Sequence, residues 1–188
     1  MKTLVLDNYD SFTYNLVHIL RELDVPHDVY RNDKISIEEA GLYDRILLSP
    51  GPGVPSQAGI MPELIKKYSA EKNILGVCLG HQAIAEAFDS KIYNLPEVYH
   101  GIATQVVLTD ETDALFDGLP GQFKVCRYHS WSVEPKSLSP DLVITSRDEN
   151  GQIMSLKHKK YNVRGVQFHP ESILTEHGKE MIRNWITI

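Results

Sequence analysis

Strand and helix signals alternate over roughly the first ninety residues, and this alternation restricts the fold more than any other feature. Leu4-Val5-Leu6 reads as a buried strand. Asp10 then has the chemistry of an N-cap, and Phe12, Leu16, Ile19, Leu20 and Leu23 follow at helical spacing. After the turn at Pro26 come a second strand region at Val29-Tyr30 and a third strand at Ile46-Leu47-Leu48. The third stops at Ser49-Pro50-Gly51-Pro52-Gly53, which cannot continue a sheet. Helix signals over Glu63 to Tyr68 and Gly80 to Phe88 flank a fourth strand, Ile74 to Val77. This order implies an α/β fold whose open, mainly parallel sheet carries helices on its faces. The second half changes character. Short runs at Thr104 to Leu108, Phe123 to Arg127, Leu142 to Ser146, Ile153 to Lys157 and Val163 to Phe168 predict added antiparallel strands or hairpins. A closing helix presents Met181, Ile182, Trp185 and Ile186. No linker separates the halves, so residues 1–188 are expected to form one domain.

Charge and composition exclude several functions. With 19 Lys and Arg against 25 Asp and Glu, the net charge of −6 disfavours nucleic-acid binding, which needs clustered cations. The only basic run, Lys157 to Lys160, is short enough to be a solvated turn. No segment is long and apolar enough to span a bilayer, and the opening Met1-Lys2-Thr3 lacks a signal-peptide core. The two cysteines are therefore expected to stay reduced in a cytoplasmic setting. The eight histidines show no metal-binding spacing, so neither metal nor cofactor is expected.

The most informative segment is Leu75-Gly76-Val77-Cys78-Leu79-Gly80-His81-Gln82. It has the form Gly-x-Cys-x-Gly between a buried strand and a helix, the cysteine analogue of a nucleophile elbow. A sharp strand-to-helix turn strains the nucleophile's backbone, and bulky neighbours would clash there. It also sets Cys78 at a helix N-terminus, where free N–H groups favour a thiolate and can hold an oxyanion. Buried free cysteines are usually structural, and Cys126, in a strand run without glycines, is read that way.

A cysteine nucleophile needs a base. His169 lies in Gly165-Val166-Gln167-Phe168-His169-Pro170-Glu171, at the carboxyl end of a strand. Pro170 favours an extended His169, and in an extended chain residues two apart share a side. Glu171 can then orient the imidazole, as the third member of a triad does. A chance His-Glu pair on a surface turn would look the same. His81, three residues from Cys78, and His129, in Arg127-Tyr128-His129-Ser130-Trp131, remain rival bases. The Pro-Gly loop at residues 49–53 offers free glycine N–H groups. Gly53 and Leu79 could together donate to one oxyanion, although plain Pro-Gly turns are common.

Taken together, the Cys78 turn, the Gly-Val-Gln-Phe-His-Pro-Glu-Ser segment around His169 and the Pro-Gly-Pro-Gly loop resemble the class I (triad) glutamine amidotransferases over nearly the whole chain. The resemblance implies that family's flavodoxin-like fold and a Cys78-His169-Glu171 triad. It also implies an oxyanion site at Gly53 and Leu79, and glutamine contacts at Gly51, Pro52, Gly53, Gln82, Ser130 and Trp131. More finely, Asp7 to Asn15, Arg127 to Ser130 and Glu171 to Thr175 resemble the amidotransferase subunits of anthranilate synthase and aminodeoxychorismate synthase. One departure is Ile102, where those relatives carry lysine soon after a His-Gly pair. The implied activity is glutamine hydrolysis, with ammonia passed to a chorismate-using synthase large subunit. The chain is too short to house a chorismate domain as well. The Asp10 to Asn15 and Ile102 stretches are expected to approach that partner. A stand-alone γ-glutamyl hydrolase or cysteine peptidase, and a non-catalytic binding subunit, are the rival readings.

Overall fold

The computed structural model describes residues 1–188. Elements follow in the order β1 (Thr3–Asp7), α1 (Thr13–Glu22), β2 (His27–Arg31), α2 (Ile37–Ala40), β3 (Arg45–Leu48), α3 (Met61–Tyr68), β4 (Asn73–Val77) and α4 (Leu79–Ala87). The second half adds β5 (Ile92–Leu108), β6 (Gln122–Val133), β7 (Leu142–Asp148), β8 (Ile153–His158), β9 (Val163–Val166) and α5 (Gly178–Thr187). One nine-stranded sheet, ordered β2-β1-β3-β4-β9-β8-β7-β5-β6, runs through the molecule. Strands β2, β1, β3, β4 and β9 are parallel, and the pairings from β9 outward to β6 are antiparallel.

Both faces of the parallel half are covered, so its strands read as unbroken apolar runs rather than alternations. Leu4, Leu6, Ile46, Leu48 and Ile74 point to one side, against Leu64, Ile65, Ala83 and Ile84. Val5, Leu47, Leu75 and Val77 point to the other, against Leu16, Leu20, Ile182 and Trp185. Each strand thus feeds two cores through its period of two.

The structure departs from the sequence-based expectation in several places. The Val163 run, expected among the antiparallel additions, ends at Val166 and closes the parallel set as β9 beside β4, because its other neighbour, β8, is where the antiparallel pairings begin. Asp10 does accept the Phe12 N–H at 2.8 Å, but α1 begins one residue after Phe12, which caps it without a side-chain bond. Asp10 closes a turn ahead of the helix. The Thr104 to Leu108 run is only the end of the 17-residue β5. Its first part was hidden by Pro96 and by Gly101, which takes φ +68° at a break in register between His100 and Ile102. The Phe123 to Arg127 run extends to Val133, carrying Ser130 and Trp131 into β6.

The sheet also curls. Five strand spacings separate β4 from β6 in the strand order. In a flat sheet that would be roughly 24 Å. Yet the Tyr128 carbonyl of β6 lies 3.6 Å from the Cys78 sulfur at the end of β4.

Candidate active site

The turn at Cys78 is built by close backbone approach. Cys78 takes φ 52° and ψ −98°, a conformation that L-residues avoid. A Cβ on Gly76 would collide with the carbonyl group of Gly80, and one on Gly80 would come within 2.8 Å of the Leu48 carbonyl oxygen. Glycine at both positions lets α4 start directly against β3 and β4. The Cys78 N–H donates to Val166 O at 2.8 Å, tying the turn to the end of β9. Since β4 and β9 are parallel neighbours, with Val77 opposite Val166, Cys78 and the segment leading to His169 leave the sheet side by side.

His169 and Glu171 face each other, with Nδ1 2.7 Å from Oε1 and both side chains almost wholly buried. The His169 carbonyl accepts from Thr175 Oγ1 at 2.6 Å, and its N–H donates to Cys126 O at 3.0 Å. Cys126 thus holds the His169 backbone through its own main chain. Burial would by itself favour a neutral imidazole. The Cys78 sulfur and the Glu171 carboxylate outweigh it and hold His169 well above the usual histidine range. His169 Nε2 has no other partner, so the nearby Cys78 sulfur is its hydrogen-bonding neighbour as well as a charge beside it. Phe12 and Tyr128 wall the ring, with centroids 5.6 and 5.2 Å away.

The two rival histidines are differently placed. His81 is fully buried against Gly165, and burial pushes it down to about 4. Both nitrogens of His129 are engaged. Nδ1 bonds Trp131 O at 2.8 Å, and Nε2 accepts from Arg127 Nε at 3.0 Å. Because arginine only donates, His129 carries its proton on Nδ1. Burial and the Arg127 charge push it down to about 3.

A small, open cleft of about 130 Å3 lies over Cys78. Gly51, Gly53, Leu79, Gln82, Ser130 and Trp131 line it, together with Tyr128 and His129. Gly53, at φ +74°, adopts a backbone suited to glycine. Asn8 staples the loop, its N–H donating to Ser49 Oγ and its Nδ2 to Ser49 O, both at 2.8 Å. Pro52 departs from expectation. It lines a neighbouring cleft with Asn8, Asn32 and Asp33. Sequence reasoning also passed over Gln167, whose Nε2 lies 3.6 Å from the Cys78 sulfur. The signal was present: Gln167 and His169 are two apart in a run the sequence reads as extended, so both could face one side.

The chain matches the family model for class-I glutamine amidotransferases over residues 4–188. It belongs to that family. Among its relatives, anthranilate synthase component 2 of Mycobacterium tuberculosis is 44% identical, the match covering all of this chain and 82% of that one. The aminodeoxychorismate/anthranilate synthase component 2 of Bacillus subtilis is 43% identical, over 97% of this chain and 94% of that one. A Thermoplasma acidophilum protein, solved under the provisional description of a GMP synthase subunit, is 28% identical. It superposes with a TM-score of 0.88, covering all of this chain and 92% of its own. The fold of this amidotransferase is therefore that of its family: a mixed, curled sheet with flanking helices. No helix is long and apolar enough to cross a membrane.

Proposed function

We propose that this amidotransferase is the glutaminase subunit of anthranilate synthase, releasing ammonia from L-glutamine for a separate chorismate-using subunit in tryptophan biosynthesis. The observation that carries the chemistry is the pairing on adjacent parallel strands. The strained turn presents Cys78 beside a buried His169–Glu171 pair, under a small cleft. The partner and pathway are supported by the names of the Mycobacterium tuberculosis and Bacillus subtilis relatives.

In the proposed cycle, the Cys78 thiolate attacks the carboxamide carbon. The Gly53 and Leu79 N–H groups hold the resulting oxyanion, where preorganised donors act most strongly. His169 gives its proton to the departing ammonia, leaving a glutamyl thioester. His169 then takes a proton from water, the hydroxide displaces the sulfur, and glutamate leaves. Glu171 keeps the imidazole oriented, and Gln82 with the Ser130-Trp131 main chain binds the amino-acid end. Every step draws on this chain's own groups, so the reading calls for no cofactor. It includes a cytoplasmic setting in which Cys78 and Cys126 remain free thiols.

The test is Cys78→Ser in complex with the synthase. Glutamine-dependent synthesis should vanish while ammonia-dependent synthesis persists. Native glutamine hydrolysis by the variant would overturn the reading. The double name of the Bacillus subtilis relative favours one alternative, service to aminodeoxychorismate synthase in folate biosynthesis. Co-purification, and the product formed from chorismate and glutamine, separate the two.

A further inference from the structure

A directed series of hydrogen bonds runs from the β6 main chain to the Cys78 sulfur, and its direction is fixed at the far end. The Trp131 carbonyl can only accept. Gln82 Nε2 lies 2.9 Å from it, so that corner of the Gln82 amide is the NH2 group. The same nitrogen lies 3.2 Å from Gln167 Oε1. Facing a donor, Gln167 must present its oxygen to Gln82, and its own NH2 is thereby turned to Cys78, with Nε2 3.6 Å from Sγ. A main-chain carbonyl, and not an arbitrary amide flip, sets this order. That carbonyl is itself pinned by His129 Nδ1; Arg127 holds the other ring nitrogen of His129, and Asp148 holds Arg127 at 2.7 Å.

The sulfur has a second neighbour, the Tyr128 carbonyl at 3.6 Å. The two contacts favour opposite protonation states. A carbonyl accepts from S–H, whereas an amide N–H donates to S⁻. Gln167 is completely buried, so its donor meets the sulfur without competition from water.

We propose that Gln167 is a catalytic residue: its side-chain amide donates to the Cys78 thiolate and keeps it poised for attack, in an orientation imposed by Gln82 and the Trp131 carbonyl. This rests on Cys78 being the nucleophile. Once the thioester forms, the sulfur loses its charge and the donor loses its hold, so the interaction belongs to the resting nucleophile and to its regeneration.

The experiment is the pH profile of Cys78 alkylation by iodoacetamide, in a Cys126→Ala background where Cys78 is the sole thiol. Gln167→Met keeps the length of the side chain and removes the donor. Its profile midpoint should rise by about one pH unit, giving roughly tenfold slower alkylation below the native midpoint. A folded variant with an unmoved midpoint overturns the proposal, since a merely structural role would leave the profile in place. A second measurement needs no change at Gln167. In ¹⁵N-labelled wild-type protein, the Gln167 side-chain amide protons should shift through the same midpoint as the thiolate ultraviolet absorbance, and should stop doing so in Cys78→Ala. Amide signals that ignore the thiolate overturn the proposal. If Cys78→Ala instead keeps native glutamine turnover, the nucleophile assignment itself fails, a result distinct from either outcome at Gln167.

Discussion

Gly178 lies in none of the motifs, yet the structure makes it a sensitive position. It is the first residue of α5, and a Cβ there would run into the carbonyl oxygen of Pro170 and come within 2.7 Å of the Pro170 carbonyl carbon. In Gly178→Ala either the helix or the loop must move. The helix is anchored by Met181, Ile182 and Trp185, all at most 1% exposed. The loop is held at both ends but open at its tip, where Ile173 is 99% exposed and Leu174 46%. Pro170 and Glu171 should therefore shift by roughly an ångström, while Thr175 and Cys126 keep hold of the His169 main chain. The 2.7 Å His169–Glu171 contact would stretch beyond hydrogen-bonding range. Misplacement on this scale costs about 100-fold in rate. Overpacking costs about 1–3 kcal/mol, and so lowers Tm by about 2–12 °C for a chain of this size. Glutamate release by the complex and a thermal melt measure both effects. Gly121→Ala is the control, because its Cβ would meet only Glu111 Oε1 at an ordinary 3.7 Å. A Gly178→Ala variant with lowered Tm but native kcat/KM would refute the claim that α5 positions Glu171.

Glu171→Gln keeps the shape of the side chain but removes the charge that holds His169 protonated, and glutaminase kcat should fall about 10²–10⁴-fold in steady-state assays. His81 and His129 are depressed to about 4 and about 3 in the folded chain, so the unfolded chain takes up their protons first as pH falls below about 6.5. Stability should decline from there towards about pH 4, approaching 1.4 kcal/mol per pH unit for each histidine; urea titrations that stay flat over that range would contradict it. His169 has the opposite sign. Its raised value stabilises the fold fully below about 6.5, and that contribution fades as pH rises through the folded value, a loss that Glu171→Gln should reduce. Arg127→Met leaves Asp148 buried without its 2.7 Å partner and should cost about 3–5 kcal/mol in chemical denaturation; adding Asp148→Asn should recover part of it.

The parallel half was legible because each strand buries both faces, and Leu4-Val5-Leu6 or Ile46-Leu47-Leu48 advertises this as an apolar run. The turn at Cys78 was legible because only glycine fits at residues 76 and 80, so a steric constraint is written directly into residue type. The His169–Glu171 contact follows from a local two-residue relation. What escaped were relations set by distant parts of the chain. Nothing local indicates that Trp131 O meets Gln82, or that Pro52 faces a different cleft from Gly51 and Gly53. Choosing among His81, His129 and His169 required knowing what each ring nitrogen touches. The N-terminal part of β5 was hidden because Pro96 and Gly101 mark irregularities within a strand as readily as its end.

The curl of the sheet explains why the antiparallel half matters to a site whose triad candidates come from β4 and the β9 exit. Had β5 and β6 continued outward, the Tyr128 to Trp131 main chain would stand some 24 Å from Cys78. Folded back, it lines the cleft and supplies two carbonyls that side chains could not replace. Tyr128 O meets the sulfur, and Trp131 O fixes the Gln82 amide. Because these groups are backbone, their positions depend on the register of the β5–β6 pair and on what lies beneath it. There Arg127 donates to His129 and stacks over Tyr99 at 3.5 Å, while Tyr99 belongs to the largely exposed, register-broken part of β5. Breaking that stack should therefore be felt at the cleft. Tyr99→Ala leaves the triad candidates untouched and removes the ring over Arg127. It should raise the KM for glutamine more than it lowers kcat, because what it loosens is the strand that lines the cleft. A fall in kcat at unchanged KM would place the role of β5 in the chemical step instead.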